Sequence, residues 1–112
     1  MQLQLGGNQQ GLVGIISVLS KQLVPKSYES LAVSSTAVAL PDIPEDAMVA
    51  HITVETNKTL RYTTTADVPT ASVGHLLSNG AVLELVGAQN IVNFKIIETE
   101  ASTSSIKITY YV

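Results

Sequence analysis

From Leu31 to the C-terminus, apolar side chains recur at every second position, and this alternation restricts the chain to strands. In "SIKITYYV", Ile106, Ile108 and Tyr110 share one parity, with Lys107 and Thr109 between them. In "MVAHITVET", Ala50, Ile52 and Val54 point one way, while Val49, His51, Thr53 and Glu55 point the other. A helix brings every third or fourth residue to one face, whereas a strand brings every second. In "LRYTTT", Leu60 and Tyr62 flank Arg61 in the same rhythm. The segment "LAVSSTAVAL" changes parity between Leu31/Val33 and Val38/Leu40, so Ser34-Ser35 marks a bulge or a strand passing between sheets. Asn79-Gly80, between "LLS" and "AVLELVG", predicts a hairpin with a type I′ turn. "IVNFKIIETE" reads as a further strand, and "PDIPEDA", "TNKT" and "EASTSS" as turns. Six or seven short strands with turn chemistry between them specify an all-β antiparallel sandwich, jelly-roll-like, or a small barrel.

A chain of 112 residues with 46% hydrophobic content suits one domain with a modest core. It has no cysteine, which removes disulfides, thiolate metal sites and cysteine nucleophiles. A formal charge of −3 argues against nucleic acid, because phosphate neutralisation needs a basic footprint. With four Tyr, one Phe and no Trp, a base-stacking platform is not expected either. Charged residues make up only 13%, as suits a protein that binds copies of itself.

The first part of the chain differs. Residues 1–20 carry no charge, and "MQLQLGGNQQG" reads as an arm. Leu12, Ile15, Ile16, Leu19 and Leu23 then fall at helical spacing, which predicts a short amphipathic helix with Asn8 at its start and Pro25 at its stop. That stripe either packs on the protein's own core or binds a neighbouring subunit, and it is the expected assembly interface. The predicted organisation is an arm and helix over 1–29 and a β-sandwich over 30–112. The run "GLVGIISVLS" lacks the preceding positive charge of a signal peptide and is too short to span a bilayer, so neither secretion nor membrane insertion is expected.

Little here suggests reaction chemistry. Asp67, Ser72 and His75 supply the residue types of a catalytic triad without the G-x-S-x-G turn that would present the serine. His51 falls mid-strand opposite the core parity, and the acidic turn of Asp42, Glu45 and Asp46 lacks the spacing of a calcium loop. No enzyme, metal or cofactor is expected. "RYTTTADVPTASVGHLLSNG" contains an irregular loop from about Thr65 to Val73 whose hydroxyls and Asp67 can bond to nearby backbone. It reads as a self-satisfied connection crossing from one sheet to the other. The alternative is contact with a ligand or partner through Arg61, Asp67 and His75.

"VSSTAVAL", "LRYTTTADVPTASVGHLL", "AVLELVG" and "IKITYY" together resemble small β-sandwich proteins encoded among the structural genes of tailed bacteriophages. The likeness spans roughly residues 31 to 112. Where related sequences carry Asp-Gly before the Pro-Thr pair, this chain has Asp67-Val68. The resemblance implies a virion structural component, with capsid decoration the first expectation of place. It also implies self-association, with a trimer suiting a capsid three-fold position, and a second virion protein such as the major capsid protein as partner. Such a protein would be made in the host cytoplasm and reside in the virion. A tail-associated adaptor or receptor-binding module, and a carbohydrate-binding module using Tyr28, Tyr62, Tyr110 and Tyr111, are the alternatives.

Overall fold

Eight strands form two sheets in the computed structural model, which describes residues 23–112. In chain order they are β1 (Pro25–Val33), β2 (Val38–Ala39), β3 (Val49–Glu55), β4 (Thr59–Thr63), β5 (His75–Ser78), β6 (Val82–Val86), β7 (Lys95–Glu98) and β8 (Ser104–Tyr111). A single-turn helix, α1 (Ala88–Asn93), lies between β6 and β7. One sheet runs β1-β8-β3-β6 and the other β2-β7-β4-β5, antiparallel throughout. Strand 1 therefore pairs with 8, 2 with 7, 3 with 6 and 4 with 5. The chain behaves as one long hairpin folded over and wrapped, with the 8–3 and 7–4 pairings joining its two halves within each sheet. That winding is the jelly roll.

The alternation builds the core directly. Ile106, Ile108 and Tyr110 of β8, Ala50 and Ile52 of β3, Leu60 of β4 and Ile96 of β7 are fully buried between the sheets. Each buried Ile or Leu contributes about 1.5–3 kcal/mol relative to exposure. Phe94 closes one part of this layer, with its ring 5.7 Å from that of Tyr62. The parity switch at Ser34-Ser35 is the passage from one sheet to the other: β1 ends at Val33, and β2 begins in the opposite sheet.

Four expectations change. The Asn79-Gly80 turn does not close a hairpin, because β5 pairs with β4 and β6 with β3. The Ala81 amide donates to the Ser78 carbonyl at 3.0 Å. Gly80 has φ +82, whereas Ala66 is the one non-glycine with positive φ among the described residues. Positive φ at the second central position alone fits a type II turn, not type I′. The turn is fastened to β3 by Gly80 N–H to Val54 O and Val54 N–H to Ala81 O. It, and not the 65–73 loop, carries the chain across; that loop joins β4 and β5 within one sheet. "IVNFKIIETE" divides into the end of α1 and strand β7. Finally, β1 begins at Pro25, so the expected boundary between residues 29 and 30 falls inside a strand hydrogen-bonded to β8 along its length. Proline suits the first position of a strand, where no ladder donor is needed.

Leu12, Ile15, Ile16 and Leu19 lie outside the described residues, as does the expected helix; Leu23 is the first described residue and is half-buried.

Candidate functional site: the Arg61 loop

Strand β4 places Leu60 and Tyr62 inward and Arg61 outward, opposite Leu76 of β5. From that position the Arg61 guanidinium reaches the following loop: Nε donates to Ala71 O at 3.0 Å, and Nη1 donates to Gly74 O at 2.7 Å. A planar fork with fixed donors suits two carbonyls at once.

The rest of the loop is tied down in the same local way. Thr63 Oγ1 donates to Asp67 O at 2.5 Å, and Thr65 Oγ1 to the Asp67 carboxylate at 2.5 Å. Between them Ala66 adopts φ +69, a left-handed conformation that costs an L-residue about 1–2 kcal/mol. Thr70 Oγ1 accepts the amides of Ser72 and Val73 at 3.2 and 3.1 Å, and the Thr70 amide donates to Val73 O at 3.0 Å. Pro69 is buried beneath the loop. Gly74, at φ +121, lets the chain enter β5; a Cβ there would stand 2.9 Å from Tyr62 O.

The three residues singled out from sequence thus sit near one another with separate structural tasks. Arg61 clamps the loop, Asp67 holds Thr65, and the exposed His75 lies against the Tyr62 ring at a centroid distance of 5.2 Å. Asp67, Ser72 and His75 share no hydrogen bond, so no triad is assembled. His51 faces outward, as expected, and meets Glu84 of β6 at 3.2 Å. Asp42 and Glu45-Asp46 are exposed turn residues. Among the described residues, no group of three or more His, Cys, Asp or Glu gathers as a metal site, and no helix is long and apolar enough to cross a membrane.

A second polar cluster escaped sequence reading. Glu98, 1% exposed, projects from β7 into the end of the core opposite Leu60 of β4. Its Oε2 accepts the Ser104 hydroxyl and, at 3.4 Å, that of Thr56; its Oε1 has no partner among the described residues. The signal lay in parity, since Glu98 continues the inward set begun by Ile96.

The chain matches no family model, and no curated protein or solved structure is significantly similar to it.

Proposed function

We propose that the chain is a non-enzymatic structural protein of a tailed-bacteriophage particle, located on the capsid as a decoration or head-associated component. It would act by binding copies of itself and a neighbouring virion protein such as the major capsid protein. The resemblance of residues 31 to 112 motivates the reading, and jelly rolls recur in viral capsid and lectin domains. A fold is shared by many functions, so the site must carry the argument. The carrying observation is that the polar side chains at the β4–β5 loop, Arg61, Thr63, Thr65, Asp67 and Thr70, are taken up by the loop's own backbone and side chains. A loop so committed is a rigid surface, suited to repeated docking in which many weak contacts add through multivalency. The uncharged N-terminal stripe supplies the first self-association surface: Ile16→Asp would leave the sandwich folded and reduce the particle mass seen by light scattering. Labelled antibody imaged on virions tests the place. Label over the capsid supports decoration, label at the tail supports an adaptor or receptor-binding module, and unlabelled virions overturn the reading.

One observation favours a carbohydrate-binding alternative. Pairing aligns Tyr28, Thr109, His51 and Glu84 in one row across the outer face of the β1-β8-β3-β6 sheet, with Tyr28 63% exposed. Binding on a glycan array that disappears in Tyr28→Ala would establish it.

A further inference from the structure

Among the described residues the two open sheets have four edges, β1, β2, β5 and β6. Unpaired strand edges are templates for another chain, and proteins blunt them with proline, lysine, bulges or inward charges. Strand β1 carries all four devices. Pro25 lacks a donor, Lys26 follows it, the register shifts between Pro25 and Ser27, and Glu29 shares the inward parity of Leu31 and Val33. Strand β2 is only two residues long. Strand β6 presents Glu84, which would oppose a like charge if β6 met its own copy. Strand β5, "HLLS", has no proline, lysine or carboxylate, and its pairing with β4 runs without a shift.

Its surroundings are apolar. Leu76 is 58% exposed on the outer face, and Val68 and Val73, in the loop that leads into β5, are 60% and 52% exposed. The charges close by are already engaged: Arg61 on Ala71 and Gly74, Asp67 on Thr65.

We propose that β5 is a self-association seam, in which β5 of one copy pairs antiparallel with β5 of a second copy about a two-fold axis. The β2-β7-β4-β5 sheets of two molecules would then run on as one. Such an isologous contact requires a surface complementary to itself. Here a strand without lysine, arginine or carboxylate meets its own copy, and Leu76 and Val73 of each copy cover the other. Four residues make a short seam, so the apolar side chains carry most of its energy and repetition in an assembly strengthens it. The inference rests on the reading that this protein works by binding itself, but it names a surface distinct from the N-terminal stripe.

The absence of cysteine makes the test direct. Single substitutions Leu76→Cys, Leu77→Cys and Ser78→Cys on the full chain are oxidised mildly and run on non-reducing gels, with Tyr28→Cys as the β1-edge control. Two-fold antiparallel pairing brings only residues near the axis against their own equivalents. Covalent dimer should therefore peak at one β5 position, fall away at its neighbours and be absent from the control. In parallel, Leu76→Lys, an exposed change compatible with folding, should lower the sedimenting mass relative to wild type. A wild-type oligomer with no β5 cross-link, with cross-linking equal at every position or confined to Tyr28→Cys, or with a mass unmoved by Leu76→Lys, would overturn the seam while leaving self-association standing. A wild-type protein that is monomeric at all concentrations would overturn both.

Discussion

Arg61 and Gly74 face each other across the mouth of the β4–β5 connection, with the guanidinium donating to the glycine carbonyl at 2.7 Å. Together with the bond to Ala71, this fastens both ends of the loop's last turn to β4. Arg61→Ala should lower unfolding free energy by about 1.5–3 kcal/mol, the range for hydrogen bonds made by a charged donor. Arg61→Lys should recover only part of that loss, because an ammonium does not present two fixed donors. Urea denaturation measures both, and a wild-type midpoint for Arg61→Ala would remove the clamp.

The two glycines that bracket β5 separate strain from crowding. Gly80 has φ +82 with open space around it, so Gly80→Ala should cost about 1 kcal/mol from backbone conformation alone. Gly74 combines φ +121 with a Cβ position 2.9 Å from Tyr62 O and 3.2 Å from Arg61 Cβ. Gly74→Ala should therefore be clearly more destabilising, by about 2–4 kcal/mol once backbone strain and overpacking add. Thermal unfolding of the two variants side by side checks the order; equal losses would contradict the close approach.

Tyr110 is fully buried and donates its phenol to Glu29 at 2.5 Å. Burial, followed by that hydrogen bond and the nearby carboxylates of Glu29 and Asp42, holds the phenol well above the usual tyrosine range. The unfolded chain loses this proton near pH 10, whereas the folded chain keeps it. The folded state then binds more protons, so stability falls as pH rises past about 10, by at most ~1.4 kcal/mol per unit from this group. Tyr110→Phe should flatten that slope in chemical denaturation run from pH 8 to 11. An unchanged slope would show that the phenol does not carry it.

Glu98 should behave as a polar plug between the sheets. The amide of Glu98→Gln keeps an oxygen for the Ser104 and Thr56 hydroxyls and removes a carboxylate that no cationic side chain among the described residues accompanies. Its stability should lie within about 1 kcal/mol of wild type, whereas Glu98→Ala, which removes the shared acceptor, leaves the Ser104 hydroxyl only Thr56 Oγ1 as a partner and opens a cavity, should lose about 2–4 kcal/mol. Guanidinium unfolding gives both values. A Glu98→Gln variant as damaged as Glu98→Ala would mean that the carboxylate charge itself is required.

What the sequence disclosed follows from the range of each signal. The β8 parity and the switch at Ser34-Ser35 were legible because side-chain alternation is set within each strand, whatever its partner. Asn79-Gly80 marks the turn but not which strands pair beside it. A tight turn between apolar runs looks the same locally whether its strands pair with each other or leave for different sheets. Helix α1 is not legible in the sequence, because six residues with no side-chain cap and no charged residue in either end turn carry too little pattern. The start of β1 was hidden by Lys26 and Glu29, since Glu29 occupies a core-facing position through its bond with Tyr110. At the site, Arg61, Asp67 and His75 were picked out by residue type. Their actual tasks depend on carbonyls and a ring brought close only by folding.

A jelly roll that works by binding copies of itself, as proposed, must associate in solution. Sedimentation velocity of the full wild-type chain over a wide concentration range tests that most directly. Self-association should give a boundary well above the 11.8 kDa of one chain, growing with concentration. A single species at the monomer mass throughout would contradict it.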